Sequence, residues 1–539
     1  MDVAFARDFA LAIIIVPSEV EDLVSLRPAL LYFLCAVTGF AADLPERGKA
    51  EHVVLIVWDG MRADFVKEEY APNLTKLASG GVRFRNHHSV YPSLTNVNAT
   101  ALATGVYPAR SGMIANWAFR PELSGGKLAR TDAPEIIRKG DATQEGHYLS
   151  ATTIAELVRA RGGRAAIAGT KTASLLHNRN QPARDATHSV TLFAGETLPE
   201  SALAPLVDSL GKFPEEETPN SAQDAWTTRA LTEVLWRDGV PKFSLLWMSD
   251  PDKSQHASSL GSKDSLGGIK SADDNLGRVL RALDSKGVLD KTDVIVASDH
   301  GFSTIERRID VAELLQKKGL KIADEKDSTL ARAEVRVAGN GGMGLFYVGE
   351  HDGPTAARVV EVLQQTDFAS VILTREPTPG TFPMSLVHVD VDPGPDVLMS
   401  FRWSDHANSS GTRGMIDANA GTDPNKATHG TFSPFDLHNT FVATGPDFRH
   451  GIQDELPTSN VDVAATIMNI LGLTAPQPLD GRVVSEAMTG SGAPQPKVEH
   501  QPIEASRDFA NGTWRQRLDI SKLGASLYIN EGRGAFDAK

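Results

Sequence analysis

The sequence predicts a doubly wound α/β protein: a mostly parallel sheet with helices on both faces, plus a smaller α+β insertion that acts as a cap. Three observations point there. Short continuous apolar runs recur at 52–57 (HVVLIV), 164–169 (RAAIAG), 243–248 (FSLLWM), 294–297 (VIVA) and 440–444 (TFVAT). Such runs, closed by a turn, read as strands buried on both faces, the mark of a parallel sheet. Helix-like stretches separate them at 71–79, 96–103, 150–160, 272–283 and 461–471. Strand and helix in alternation imply crossovers that cover both faces. Finally, polar residues follow the runs closely. Asp59, the Ser249-Asp250-Pro251-Asp252 turn and Asp299-His300 all stand where open α/β sheets bind ligands, outside the carboxyl ends of their strands.

In chain order, residues 1–42 read as a leader. The apolar run 29–42 (ALLYFLCAVTGFAA) follows Arg27, is too short to span a bilayer, and ends in small residues suited to signal cleavage. A second apolar patch at 11–16 suggests that the true start lies downstream. The expected location is periplasmic or secreted, with no transmembrane segment. Residues 50–310 form the first part of the core. Residues 311–410 form the insertion, with a hairpin expected around Asn340-Gly341-Gly342 and a strand at 397–403. Residues 411–490 complete the core, and 491–539 read as a linker and C-terminal tail in which 517–520 returns as a strand.

Composition narrows the function. The 539 residues are 41% hydrophobic and 23% charged, ordinary for a globular chain, and the formal net charge is −14. That acidity excludes a broad nucleic-acid-binding face. The one cysteine, Cys35, excludes an internal disulfide framework and a cysteine zinc site. Nothing in the sequence sets an oligomeric state.

Six residues in strand-end or glycine turns carry metal-ligand chemistry: Asp59, Asp252, His256, Asp299, His300 and His429. Six N/O ligands suit two divalent ions with three protein ligands each, and two dications against three carboxylates leave about one net positive charge, which favours a phosphate-like anion. Asp252 and His256 are spaced i, i+4. Asp299 and His300 are adjacent but precede Gly301, where the backbone can turn both toward one site. Thr95, in YPSLTN, sits where a loop meets a helix, so backbone N–H groups and the helix dipole favour an anion beside its hydroxyl. Taken singly, Thr95 and Asp59 also read as helix caps, and SDHG and His429 as polar loop residues.

The ordered pieces VVLIVWDGMRAD, APNLTKLASGGVRF, YPSLTNVNATALATGVYPARSGMIAN, DPDKSQH, ASDHGF, THG and PLDGRVVSEAM together resemble the alkaline phosphatase superfamily, within it the nucleotide pyrophosphatase/phosphodiesterase branch. The resemblance implies one zinc held by Asp252, His256 and His429 and another by Asp59, Asp299 and His300, two Zn2+ per chain, with manganese or iron also compatible with such ligands. It implies Thr95 as a nucleophile close to both metals that forms a phospho-threonine, and Asn116 as a donor to a non-bridging phosphate oxygen. Gln255 stands where the family usually has glycine, and removes no ligand. The Cys/Ser-x-Pro-x-Arg signature of sulfatases is absent. Monoesterase relatives carry Lys-x-Arg, and phosphonoacetate hydrolases Lys-x-Lys, after a strand near the site. Here only Lys171 of Gly169-Thr170-Lys171-Thr172-Ala173 is kept.

A diester monoanion needs less positive charge than a monoester dianion. The expected substrate is therefore a small phosphodiester, with a phosphomonoesterase or phosphonate hydrolase as the alternative, and a non-catalytic metal- or anion-binding protein as a remote one. Arg120, Lys127 and Arg179 are candidates for the second cation, and Trp58, Trp117 and Trp247 for contacts to the leaving group.

Overall fold

The computed structural model describes residues 48–179, 189–324, 329–490 and 497–539; the predicted leader lies outside them. A nine-stranded sheet forms the centre. Its order from edge to edge is Ile452–Asp454, Val82–Phe84, Phe441–Thr444, Thr292–Ala297, His52–Trp58, Phe243–Met248, Ala165–Gly169, Ser189–Phe193 and Glu196–Leu198. The central strand His52–Trp58 is parallel to both neighbours, with Val57 opposite Ala297 and Trp58 opposite Met248. Ala165–Gly169 is also parallel to Phe243–Met248, with Gly169 opposite Trp247. Four carboxyl ends are thus level at one edge of the sheet.

Alternation along the central strand shows why its run is continuously apolar. Val53, Leu55 and Val57 enter one core, and Val54, Ile56 and Trp58 enter the other. Successive side chains of a strand point to opposite faces, so a strand covered on both sides has no polar position. The helices Thr95–Thr104 and Asn460–Ile470 supply Val97, Leu102, Val461 and Ile467 to the first core. Lys263–Ser285 supplies Ile269, Leu276 and Val279 to the second.

One strand departs from expectation. The 440–444 run forms Phe441–Thr444, which is antiparallel to both Thr292–Ala297 and Val82–Phe84. A run buried on both faces looks the same in either direction, so composition carries no sign of it.

The insertion has its own sheet of six strands, Lys321–Ile322, Glu334–Asn340, Met343–Val348, Val397–Phe401, Ala369–Thr374 and Phe382–Pro383. The hairpin turns through Gly341-Gly342 as expected, and the Gly342 N–H donates to the His429 carbonyl at 2.8 Å. The cap therefore docks on a loop that carries a candidate ligand. After Phe401 the chain leaves this sheet. Trp403–Ala407 and Arg413–Asn419 join Ser303–Ile309 and Ala427–Thr428 in a four-stranded sheet.

The C-terminal stretch is more ordered than a tail with one returning strand. Val498–Phe509, Gly512–Leu523 and Ser526–Ala538 form an antiparallel meander. Its middle strand alternates buried and exposed positions, with Trp514, Gln516, Leu518 and Ile520 buried. Trp514 enters the insertion's core and donates its indole N–H to the Gly380 carbonyl at 3.0 Å, while the Gln516 amide pairs with the backbone of Ile372. Truncating such a fully buried tryptophan removes its apolar contacts and leaves a cavity. Trp514→Ala is expected to cost about 3–5 kcal/mol in urea unfolding monitored by circular dichroism. A loss below about 1 kcal/mol would show that the meander is not integral to the insertion's core.

Candidate metal centre

Local geometry at the strand ends explains how the six candidate ligands meet. The central strand stops at Trp58, and Asp59 follows with Gly60 at φ +74°. A Cβ on Gly60 would stand 2.8 Å from the Phe302 ring and 3.1 Å from Asp252 Cβ, so both backbone and space demand glycine. The Gly60 N–H donates to Asp299 Oδ1 at 2.9 Å, and the Asp252 N–H donates to the Asp59 carbonyl at 2.9 Å. Three turns are thereby laced together. Gln255, the departure noted in sequence, is fully buried and donates its amide to the Gly60 carbonyl at 2.9 Å, tying the short helix Asp252–Ala257 to the Asp59 turn.

The structure brings all six together. Ligand atoms of Asp59, Asp299 and His300 lie within 4.8 Å of one another, and so do those of Asp252, His300 and His429. The first group is the expected one. In the second, His300 reaches across because its ring stacks on His429 with centroids 3.5 Å apart. His256 stands beside it, Nε2 3.2 Å from Asp252 Oδ1, with a side chain that is 41% exposed at the rim.

Each imidazole is oriented by its other nitrogen. Nδ1 of His256, His300 and His429 meets the carbonyls of Ala427, Gly301 and Ser93 at 3.0, 2.9 and 2.7 Å. A carbonyl only accepts, so Nδ1 carries the proton and Nε2 presents a lone pair inward, the arrangement that metal-ligating histidines use. Among the described residues, Asp59 Oδ1, Asp252 Oδ1 and Asp299 Oδ2 are buried without hydrogen-bond partners. Unsatisfied buried carboxylate oxygens are costly, and three of them facing three imidazole lone pairs fit divalent cations with N/O ligands.

Electrostatics give the same answer. Burial, with repulsion from Asp252 and Asp299, pushes the Asp59 carboxyl well above the ordinary range. Burial raises Asp299 to about 7 and lowers His300 to about 4. Burial also works against the Asp252 carboxylate, but Lys171 and His256 outweigh it and hold that carboxyl well below its usual value. The Lys171 ammonium lies 2.8 Å from Asp59 Oδ2 and 2.8 Å from Asp252 Oδ2. It grips one oxygen of each carboxylate and leaves the Oδ1 atoms toward the histidines. Asp59 Oδ2 also accepts from the Trp247 indole at 2.8 Å.

Thr95 is the first residue of the helix Thr95–Thr104, and its hydroxyl donates to His300 Nε2 at 3.1 Å. Asn116 Oδ1 accepts from the Asn96 N–H at 2.9 Å, which fixes the amide beside Thr95 and leaves its NH2 as a donor. Two clefts meet here, sharing Asn116 and Trp117. One, of 570 Å³, is lined by Thr95, Arg130, Lys171, Phe213 and Lys253. The other, of 430 Å³, is lined by His256, Asn340, Lys426 and His429.

Some expectations do not hold. Arg120 pairs with Glu122, Arg179 is buried against Glu156 and Asp141, and neither they nor Lys127 line these clefts. Trp58 and Trp247 are fully buried, so Trp247 serves Asp59 rather than a substrate. Sequence reasoning missed Asn460, whose amide donates to the Asp299 carbonyl at 2.9 Å. It also missed Asp224, which accepts from the N–H groups of Ser249 and Asp250 and braces the Asp252 turn. Each lies far along the chain from the turn it supports, and no local pattern signals it.

A doubly wound α/β sheet with buried Asp/His ligands and a hydroxyl at its strand ends defines the class of metal-assisted hydrolases. The particular family follows from comparison. The family model for type I phosphodiesterase / nucleotide pyrophosphatase matches residues 53–379, and the chain belongs to that family, as a hydrolase of the phosphodiesterase/nucleotide pyrophosphatase kind. It is 22% identical over 482 residues to ectonucleotide pyrophosphatase/phosphodiesterase family member 7 of Rattus norvegicus, a match spanning 88% of this chain and 95% of that protein. It is 23% identical over 277 residues to bis(5'-adenosyl)-triphosphatase enpp4 of Xenopus laevis, spanning 51% of this chain and 52% of that protein. Among solved structures, murine ectonucleotide pyrophosphatase/phosphodiesterase 5 shares the fold with a TM-score of 0.58 and 18% identity, covering 81% of this chain and 100% of that one.

Lys171→Met removes the group that holds Asp59 and Asp252 in register. Elemental analysis after gel filtration is expected to show altered metal occupancy relative to the parent protein. Unchanged occupancy with only a raised KM would instead place Lys171 on the substrate phosphate.

Proposed function

We propose that this protein is a two-metal phosphodiesterase that cleaves small nucleotide-type diesters through a covalent phospho-threonine on Thr95. The observation that carries this reading is the meeting of two clefts at Asn116 and Trp117, one of them lined by Thr95, which offers room for each organic arm of a diester. Cations near the reaction centre are engaged: Lys171 with Asp59 and Asp252, Arg130 with Asp132, and Lys253 with Glu216. That leaves little charge for a monoester dianion, and it favours the diester over the phosphomonoesterase or phosphonate alternative.

Asp59, Asp299 and His300 would hold one ion, and Asp252, His256 and His429 the other, with zinc the best match to the ligands and manganese or iron compatible. When bound, such ions lower the pKa of a hydroxyl and offset charge on the leaving oxygen. Thr95 Oγ1 attacks phosphorus and its proton passes to solvent, while the bond from phosphorus to the leaving oxygen breaks and that oxygen departs with the bonding electrons. Water then cleaves the phospho-threonine and regenerates the hydroxyl. The Asn116 NH2 donates to a non-bridging oxygen, where negative charge builds up. The N-terminal dipole of Thr95–Thr104 acts on the same charge.

Among the described residues, no helix is long and apolar enough to cross a membrane. Export to the periplasm or outside is proposed on the 29–42 pattern, which lies outside the described residues.

Two measurements test the reading. The parent protein is expected to hydrolyse bis-p-nitrophenyl phosphate with a much larger kcat/KM than p-nitrophenyl phosphate, to lose activity on chelation, and to regain it with zinc. A monoester preference would move the assignment to the phosphatase alternative. Thr95→Ala should lower kcat by about three orders of magnitude or more while keeping its metal; full activity in that variant would end the nucleophile assignment.

A further inference from the structure

We propose that Trp247 is the positioning residue that makes Asp59 a one-oxygen ligand, and that its indole N–H thereby sets the affinity of the Asp59–Asp299–His300 site for a divalent cation separately from the Asp252–His256–His429 site. The inference rests on the two-ion reading above. It starts from where the indole N–H groups of this chain point. Those of Trp226, Trp403 and Trp514 donate to backbone carbonyls, and that of Trp236 pairs with the Ser244 hydroxyl. Among the described residues, Trp247 is the tryptophan whose indole donates to a carboxylate, Asp59 Oδ2 at 2.8 Å. Both side chains are fully buried. A hydrogen bond to an ionised acceptor is roughly twice as strong as a neutral one.

The geometry divides the two oxygens of Asp59. Oδ2 receives two donors, the Trp247 indole and the Lys171 ammonium, each at 2.8 Å. A carboxylate oxygen has two lone-pair sites, so Oδ2 is filled. Oδ1 is buried without a hydrogen-bond partner and is left for the ion, 3.7 Å from Nε2 of His300, a ligand of the same site. Without the indole, Oδ2 keeps a free lone pair and the carboxylate can turn about its Cβ–Cγ bond. Trp247 also supports the other donor. Its carbonyl accepts the Thr170 N–H at 2.9 Å, which anchors the loop that carries Lys171.

The indole has little freedom of its own. Trp247 lies in the strand Phe243–Met248 with Val57 and Gly169 opposite it on the two neighbouring strands. The buried His177 imidazole packs edge-on against its ring, centroids 5.6 Å apart. A donor held by a sheet is more rigid than one on a loop. The two sites differ in this support. Lys171 serves both, since it also reaches Asp252 Oδ2 at 2.8 Å, whereas the Trp247 indole donates to a ligand of one. Such outer partners of metal ligands commonly contribute about 10- to 100-fold in affinity.

The test reads zinc affinity on the full-length protein by competition with a chromophoric chelator, so no activity enters the readout. Two backgrounds isolate the sites: Asp299→Ala disables the first and His256→Ala the second. Trp247→Phe keeps an aromatic ring and deletes the N–H. In the His256→Ala background it should weaken binding of the remaining ion about 10- to 100-fold. In the Asp299→Ala background it should change affinity by less than about twofold, as expected for independent sites. Trp247→His carries a ring N–H the same number of bonds from Cβ and should recover most of the loss despite its smaller ring. The histidine variant also decides the case in which the phenylalanine protein does not fold: near-parental affinity supports the proposal, and a loss beyond about tenfold overturns it. Equal losses in the two backgrounds would reduce Trp247 to general packing and overturn the proposal, as would no loss in the His256→Ala background; either result leaves the two-ion reading standing. A parent protein that binds no zinc would overturn that reading and the proposal with it.

Discussion

Three carboxylates buried at one edge of a parallel sheet are the constraint around which this protein is arranged. Ligand oxygens of Asp59 and Asp299 lie within 4.8 Å of each other. At an effective dielectric of about 20, like charges at that separation repel by roughly 3–4 kcal/mol. A hydrogen bond to a carboxylate contributes about 1.5–3 kcal/mol, but the bonds from the Gly60 and His300 N–H groups serve Asp299 alone and leave Asp59 Oδ1 and Asp252 Oδ1 without partners. Positive charge is required. Lys171 supplies one unit, placed against two of the three carboxylates. Divalent ions at the inward-facing Oδ and Nε2 atoms would supply the rest.

That constraint explains how closely the surrounding turns are braced. Carboxylates that must not drift apart are tied through the backbone: Asp252 N–H to the Asp59 carbonyl, Gly60 N–H to Asp299, the Gln255 amide to the Gly60 carbonyl, and Asn460 to the Asp299 carbonyl. The histidines are braced separately, each through Nδ1 to a carbonyl. The result is a centre whose first contacts come from strand ends and whose supports come from distant helices and the insertion. Rigidity of this kind keeps reacting groups within the small tolerances that catalysis allows.

The insertion is more than a lid on this arrangement. Through Asn340 and Gly342 it touches both the exposed Trp117 and the loop of His429. The C-terminal meander in turn packs Trp514 into the insertion's core. Support therefore runs from the end of the chain, through the insertion, to the rim of the site.

Much was determined by the sequence alone. Continuous apolar runs announce strands buried on both faces, and the polar residues after them mark the ligand edge, because both effects are local to a strand and its turn. Asp59, Asp252, His256, Asp299, His300 and His429 could be picked out because each stands in a strand-end or glycine turn, Thr95 because it stands where a loop meets a helix, and the ordered motifs brought in Asn116. Only the tertiary structure decided the rest. The direction of Phe441–Thr444 depends on the path of a connection rather than on side-chain pattern. The double grip of Lys171 on Asp59 and Asp252, the burial of Trp247 and exposure of Trp117, and the clamp of Asn340 each join residues distant in sequence. Such contacts arise from how the layers pack, and packing leaves no periodicity in a single chain to read.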